Sequence, residues 1–232
     1  MIGTPAHDWR MDVRYVHSFG QTIKLCMEQG IDLRWLFPPG DAIIQNSRNA
    51  LVRDALKFDF DDLIFIDSDQ DWEAEWIVRL LSYPVDCVGA AVRKKTDDAI
   101  RFNVKARGGV NSFRKHPQHD LITAPDMTLG TGFLRMSRTA LETLWNASEK
   151  YKGGDGEQSA WIFDIRPRDG ELVGEDTYVC DKLRSLGIET WLDPAMCPGH
   201  SGVKRFVGDF AAWAASLPAS DAKGGPALKL VG

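Results

Sequence analysis

The feature that most constrains the fold of this chain is the alternation of short apolar runs with helix-periodic segments through its first half. Apolar runs occupy residues 1–5, 33–37, 63–66 and 86–92. The segments between these runs follow the helical period, which predicts helices at 12–29, 41–58 and 73–82. Strands that are covered on both faces are typically solid apolar runs rather than alternating ones. The order therefore predicts an α/β fold with a mostly parallel central sheet and helices on both faces.

The second half of the chain is less regular but still carries helix and strand signals. Ser137 is a suitable N-cap, and Gly187 stands just past the end of a helix-periodic segment. The elements predicted here are a strand at 131–136, a helix from Ser137 to about 148, a polar loop at 151–159, a helix at 175–185 and a strand at 189–192. Because no internal repeat or linker is visible, we expect one domain over residues 1–216 and a loose tail over 217–232.

Composition narrows the class of protein. The net charge is −5, which argues against a strongly basic surface for nucleic acid. The four cysteines form no CxxC pair, so neither a disulfide framework nor a cysteine zinc site is indicated, and a reducing compartment is favoured. No apolar stretch approaches the ~18 residues of a membrane span, and the N-terminus lacks the apolar segment of a signal peptide. We expect a cytoplasmic protein without an integral membrane segment.

The strongest chemical signal is the triplet Asp67-Ser68-Asp69, which follows directly on the apolar run at 63–66. In open α/β sheets the ligand site lies beyond the carboxyl ends of the strands. Two carboxylates at such a place are costly unless a cation neutralises them. Mg²⁺ and Mn²⁺ accept oxygen ligands, and Mg²⁺ commonly shares them with substrate phosphates. The triplet indicates either a divalent metal that holds a diphosphate or a solvated acidic turn.

Three further patterns each allow two interpretations. Glu175 and Asp176 open a predicted helix, where carboxylates are favoured by the helix dipole but can also act as a general base. His200 lies between glycines in a predicted loop, either as a metal ligand or as a surface histidine. Gly130 and Gly132 precede a strand, where glycine permits either a close backbone approach or a tight turn.

Basic residues form two features with open interpretations. Arg48, within a predicted helix, is able to grip a phosphate bidentately or to serve as a solvated helix residue. Residues 101–119 contain several basic side chains and no Asp or Glu. Such a segment is able to follow a phosphate backbone, although an ordinary solvated flap has the same composition.

The order of these patterns resembles that of GT-A (Rossmann-like) glycosyltransferases. Within that fold, the chain is similar to the small stand-alone, nucleotide-sugar-dependent enzymes of phages and large viruses. The resemblance covers roughly residues 1–202 and rests on IGTP, SRNALV, LIFIDSD, VGAAVRKK, LGTGFLRM, GEDTYVCDKLRSLGI and PGHSG. It implies a metal-dependent transfer of a sugar from a nucleoside-diphosphate sugar, with UDP as the favoured nucleotide, to an acceptor hydroxyl.

The resemblance also implies roles for individual residues. The residues implied for binding the donor are Thr4, Pro5, Ala6, Asp8, Arg48, Asp67, Ser68, Gly130 and Gly132. Asp67, Asp69 and His200 would hold Mn²⁺ or Mg²⁺. Asp176 would be the catalytic base of an inverting reaction, with Glu175 as the fallback.

The acceptor and two rival classes of function stay open at this stage. Because the sequence shows no membrane anchor, a soluble acceptor is favoured: a hydroxymethylated base in DNA, a glycan or a protein. A nucleotidyltransferase would also bind a nucleotide through a metal on an α/β sheet, but the glycine- and lysine-rich loop expected after its first strand is missing. A non-catalytic module that binds sugar nucleotides or glycans would not need Asp176.

Overall fold

The structure is a computed structural model that describes residues 1–6, 9–38, 41–97 and 99–217. Within these residues the α-helices are α1 (Val13–Glu28), α2 (Ile44–Ala55), α3 (Ala74–Ser82), α4 (Arg138–Asn146), α5 (Glu175–Ser185) and α6 (Phe210–Ser216). The strands are β1 (Ile2–Gly3), β2 (Trp35–Leu36), β3 (Asp62–Ile66), β4 (Gln70–Asp71), β5 (Cys87–Ala90), β6 (Val104–Lys105), β7 (Arg114–Lys115), β8 (Ile122–Thr123), β9 (Thr128–Leu129), β10 (Phe133–Ser137), β11 (Lys150–Lys152), β12 (Gln158–Ala160), β13 (Arg166–Arg168), β14 (Glu171–Val173), β15 (Thr190–Asp193), β16 (Gly199–Ser201) and β17 (Arg205–Phe206).

Eight of these strands form the central sheet, in the order β2-β1-β3-β10-β5-β15-β8-β7. β1 pairs in parallel with β2 and β3, and β5 pairs in parallel with β15. β10 runs antiparallel between β3 and β5, and β8 is antiparallel to both β15 and β7. The sheet is therefore mixed, not mostly parallel as the sequence predicted. An apolar run indicates that a strand is buried but not which way it runs.

The sheet separates two hydrophobic cores, and β3 contributes to both. Its side chains Leu63 and Phe65 pack with α2, α4 and α5, whereas Ile64 and Ile66 pack with α1 and α3 on the other face. This alternation follows from the period of two along a strand. The prediction of an α/β fold with helices on both faces is confirmed.

Local signals set several helix ends, and those at Ser137 and Gly187 are the ones predicted. The Asp12 side chain caps α1 by accepting a hydrogen bond from the backbone N of Arg14. Ser137 caps α4 by accepting one from the backbone N of Ala140. Gly187 follows α5 with a positive φ of 79°, a conformation that costs glycine little because it has no Cβ.

Other segments depart from the prediction. The polar loop expected at 151–159 is largely the hairpin of β11 and β12, and α6 was not predicted at all. The loose tail expected at 217–232 lies outside the described residues except for Leu217. None of the helices in the described part of the chain is both long enough and apolar enough to cross a membrane.

Candidate active site

The acidic triplet lies at the carboxyl end of β3 and is held there by backbone hydrogen bonds. The N–H of Asp67 donates to the carbonyl of Gly132, 2.9 Å away, just before β10 begins. The carbonyl of Asp69 accepts from the N–H of Ser201 in β16, 2.7 Å away. Two distant segments of the chain therefore meet the triplet. Asp67 and Asp69 therefore lie at the carboxyl end of the strand, as the sequence predicted.

Arg48 lies in α2 and joins the triplet to the start of α5. Its Nη2 is 2.8 Å from Oδ1 of Asp67, and its Nη1 is 2.7 Å from Oε1 of Glu175. The Arg48 side chain is only 3% exposed, whereas those of Asp67 and Glu175 are 30% and 17% exposed, so a buried arginine meets two carboxylates that are partly open to solvent. Burial alone would lower the pKa of Arg48, but Asp67, Asp176 and Glu175 outweigh it and raise that pKa. The sequence offered Arg48 as a nucleotide contact, whereas here its two Nη atoms are occupied by carboxylates.

The carboxylates around Arg48 outnumber its single positive charge. Burial raises the pKa of Asp67, and the charges of Asp69 and Asp176 add to this rise while Arg48 opposes it. Burial also raises the pKa of Glu175, again helped by Asp176 and opposed by Arg48. Crowding of acids in a partly buried position is costly without further positive charge. The cluster is therefore suited to receive a cation or a proton.

Asp176 lies in the first turn of α5 and is fixed by Thr131. Its Oδ1 accepts hydrogen bonds from the backbone N of Thr131 at 2.9 Å and from the Thr131 hydroxyl at 2.6 Å. Thr131 is completely buried, so this contact is sheltered. The sequence singled out the glycines on either side but missed Thr131. The signal available was a residue with a short hydroxyl side chain between two glycines.

The two glycines flanking Thr131 are needed for close packing. A Cβ on Gly132 would lie 2.6 Å from Oδ2 of Asp67, and one on Gly130 would lie 2.7 Å from Cβ of Asn103. Real Cβ atoms do not approach other atoms so closely, so a larger residue at 132 would push against the Asp67 side chain and one at 130 would push against Asn103. Of the two interpretations of these glycines, the structure favours a close approach, here to protein atoms.

His200 faces Asp69 from β16, a strand rather than the predicted loop. Its Nδ1 is 2.8 Å from the carbonyl of Arg93, and because a carbonyl only accepts, Nδ1 carries the hydrogen. Its Nε2 lies 3.5 Å from Oδ1 of Asp69. The other Asp69 oxygen is paired with Lys95. Burial alone would raise the pKa of Asp69, but the contacts with His200 and Lys95 outweigh it and lower that pKa.

The pair of Asp69 and His200 meets part of the requirements for a divalent metal. Oδ1 of Asp69 is buried, faces Nε2 of His200 and has no hydrogen-bond partner, so it lacks the partner that a bound cation would supply. Ligand histidines commonly donate their other ring N–H to a carbonyl, as His200 does to Arg93. Asp67, the third predicted ligand, is instead engaged by Arg48. The described residues contain no group of three or more His, Cys, Asp and Glu side chains that could hold a metal, so the remaining ligands would come from phosphate and water.

The turn after β1 lies beside the triplet because β1 and β3 are parallel neighbours. Thr4, Pro5 and Ala6 are all buried. The Thr4 hydroxyl is 2.5 Å from the Tyr15 hydroxyl, and burial raises the pKa of Tyr15 to about 12. The Thr4 hydroxyl is thus engaged inside the protein, so this turn would contact a ligand through its backbone.

Two other residues implied for donor binding are Asp8 and Ser68. Asp8 lies outside the described residues. The backbone of Ser68 also ties into this region by accepting from the N–H of Asp12 at 2.9 Å.

The structure divides the basic segment 101–119 into two parts. Its beginning lies beside the site, where the carbonyl of Arg101 accepts from the N–H of Lys94 and Asn103 packs against Gly130. Its end forms β7, at the far edge of the central sheet from β2, where Arg114 pairs with Glu189. Charged residues on an exposed edge strand hinder pairing with other chains. The segment is therefore not one continuous basic surface.

Comparison with known proteins shows a shared fold but no activity. No protein-family model matches the sequence, and no curated protein matches it. Among solved structures, the crystal structure of A197 from STIV matches with a TM-score of 0.51 and 14% identity, over 87% of this chain and 84% of that one. This chain shares the fold of A197. A glycosyltransferase involved in the glycosylation of the major capsid of PBCV-1 matches with a TM-score of 0.33 and 13% identity, over 61% of each chain. A TM-score this low indicates neither a shared fold nor a shared activity.

Proposed function

We propose that this protein is a glycosyltransferase that moves a sugar from a nucleoside-diphosphate sugar to an acceptor hydroxyl. The observation that carries the proposal is the meeting of three groups at one edge of the sheet. Asp69 contacts His200, Asp67 is joined through Arg48 to Glu175, and the charge of Asp176 is close enough to raise the pKa of Asp67. This supplies a place for a diphosphate and, beside it, a carboxylate that is suited to act as a base.

The donor would bind over the triplet with its diphosphate toward Asp69 and His200. Those two residues would hold Mn²⁺ or Mg²⁺, whose chemistry when bound is to neutralise the charge that develops on the departing diphosphate. The backbone of Thr4, Pro5 and Ala6 would face the nucleotide, with UDP as the favoured nucleotide. This assignment is supported by the unpartnered Oδ1 of Asp69 and by the position of β1 beside β3.

Asp176 is the better candidate for the catalytic base. Thr131 orients it through Oδ1 alone, which leaves Oδ2 for the acceptor hydroxyl. Glu175 is less suitable because its Oε1 is bound to the buried Arg48. As the acceptor oxygen forms its bond to the anomeric carbon, Asp176 would take the hydroxyl proton, and the bond to the diphosphate would break with its electron pair leaving on phosphate. Such a single displacement inverts the anomeric centre.

The acceptor follows less directly from the site. A hydroxymethylated base in DNA, a glycan or a protein hydroxyl would each supply the oxygen that the reaction needs. The first of these agrees with the phage-type resemblance of the sequence. The beginning of the basic segment, around Arg101, lies beside the site and would be the part of it available to a phosphate backbone.

A panel of nucleotide sugars tests the proposal. The protein is incubated with each sugar nucleotide, with and without Mn²⁺, and release of nucleoside diphosphate is measured against an Asp176→Asn control. Release that depends on Asp176 would support a glycosyltransferase. Release of pyrophosphate from nucleoside triphosphates would instead indicate a nucleotidyltransferase. Binding of sugar nucleotides without turnover, across candidate acceptors, would indicate a binding module.

A further inference from the structure

Helix α1 exposes its apolar side and buries a more polar one. The side chains that it buries are Tyr15, Ser18, Thr22 and Cys26. On the opposite side, Val13 is 76% exposed, Val16 54%, Ile23 39% and Met27 76%. A helix on the surface of a monomer is expected to do the reverse. A contiguous apolar surface of this kind marks an interaction site more often than chance exposure.

Gly20 lies at the centre of this apolar stripe, which we define as Val13, Val16, Gly20, Ile23 and Met27. A Cβ on Gly20 would meet nothing within 4 Å, so no neighbour within the described chain requires a glycine there. Glycine inside a helix costs about 1 kcal/mol relative to alanine. Close approach of a backbone from another molecule is a reason to keep it.

The stripe has nearly the same spacing in both directions from Gly20. Val13 and Met27 are seven residues before and after it, and Val16 and Ile23 are four before and three after. In an antiparallel helix pair on a two-fold axis, residues at opposite offsets meet each other. Val13 of one copy would then meet Met27 of the other, and Val16 would meet Ile23. The surface is self-complementary in this sense.

The charges around the stripe argue against a membrane or nucleic acid as its occupant. The basic residues nearby are already paired within the chain, as Arg14–Asp12, Lys24–Glu28 and Arg34–Asp32. Such a balanced rim around an apolar centre is the usual anatomy of a protein–protein interface. An anionic lipid surface would instead require an excess of Lys and Arg.

The apolar surface continues from α1 onto the open edge of the central sheet. Trp35 of β2, the edge strand, is 42% exposed and its ring lies 4.6 Å from that of Phe19 in α1. A groove of about 460 Å³ is lined by both rings and by Ile23 and Met27. Stable interfaces bury roughly 800 Å² per partner, and the helix stripe together with this flank provides a broad apolar centre for one.

We propose that the stripe is the contact surface between two copies of this chain, with their α1 helices antiparallel across a two-fold axis at Gly20. The groove beside Trp35 would receive side chains from the α1 helix of the second copy. This inference does not depend on the proposed activity, because no residue of the stripe belongs to the candidate active site.

Cross-linking of the full chain tests the position of the axis. Helices packed about 8–10 Å apart, with Cα atoms about 2.3 Å from each axis, bring facing Cα atoms within disulfide range. Gly20→Cys should therefore form a disulfide-linked dimer about tenfold or more faster than Val203→Cys, a control at a 99% exposed position. Adding Ile23→Glu to Gly20→Cys should suppress the link. Equal rates for Gly20→Cys and Val203→Cys would overturn the proposal.

Sedimentation of the unmodified protein tests the interface without cysteines. The wild-type chain should sediment as a dimer in the micromolar range, and Val16→Glu with Ile23→Glu should give a monomer with the same circular dichroism spectrum. A wild-type monomer throughout that range would refute the interface. A dimer that persists in the double variant would also refute it, because another surface would then be responsible.

Discussion

Thr131 and Asp176 are joined by two hydrogen bonds to the same carboxylate oxygen, although they come from different segments of the chain. The backbone N and the hydroxyl of Thr131 both donate to Oδ1 of Asp176. One oxygen of the carboxylate is thereby fixed, and the direction of the other is set. A base that must meet an acceptor hydroxyl in one orientation benefits from such fixing.

We expect Thr131→Val to lower kcat by about tenfold, equivalent to roughly 1.4 kcal/mol of barrier. Valine has nearly the shape of threonine but lacks the hydroxyl, so it removes one of the two bonds and keeps the backbone one. The KM for the donor should change little, because the Thr131 hydroxyl is engaged with Asp176. Thr131→Ser should restore most of the rate. Steady-state kinetics with a confirmed acceptor measures this, and a Val variant with full kcat would contradict it.

Substitutions of Asp176 and of Asp69 should differ in their effects, the first lowering turnover and the second lowering donor binding. Asp176→Asn should lower kcat by ~10²–10⁴ while leaving donor affinity nearly intact, since it removes the base but not the cation site. Asp69→Ala should abolish Mn²⁺-dependent binding of UDP in titration calorimetry. Asp181→Asn is the matched control, because it lies on the same helix and pairs with Arg168 and Arg184 away from the site. Normal turnover by Asp176→Asn would transfer the role to Glu175.

Replacement of Arg48 should destabilise the fold. Arg48→Met would leave the partly buried carboxylates of Asp67 and Glu175 without their shared positive charge. Breaking a fully buried pair typically costs about 3–5 kcal/mol, and the partial exposure of these carboxylates should bring the loss to the low end of that range or below it. Arg48→Lys should recover only part of this loss, because an ammonium does not present the planar fork that contacts both carboxylates. Chemical denaturation at neutral pH measures the free energy of unfolding. A Met variant as stable as the wild type would show that the buried cluster stays largely protonated.

The raised pKa of Glu175 predicts how stability changes with pH. A folded-state pKa above the unfolded value of 4.5 means that the folded state holds a proton that the unfolded state has released. The contribution of Glu175 to the free energy of unfolding therefore falls as pH rises from that value through the folded pKa. Glu175→Gln should gain stability relative to the wild type across this window. Glu171→Gln, at an exposed position, should show no such trend. A constant difference between Glu175→Gln and the wild type at all pH values would contradict the raised pKa.

The sequence alone determined the local elements. The N-caps Asp12 and Ser137, the end of α5 before Gly187, and the burial of β3 all follow from interactions among residues a few positions apart. Such interactions act over one or two helical turns, so a local pattern predicts them. The position of the acidic triplet at a strand end followed from the same kind of signal.

Only the tertiary structure decided the direction of β10 and the partners within the site. Arg48 meets residues 19 and 127 positions away, and Thr131 meets Asp176 across 45 positions. His200 reaches Asp69 because β16 pairs with β4, two short strands that carry no distinctive pattern. Which of several carboxylates pairs with a given arginine depends on strand order, burial and packing of the whole chain. These are set by the cooperative fold, so no local stretch of sequence specifies them.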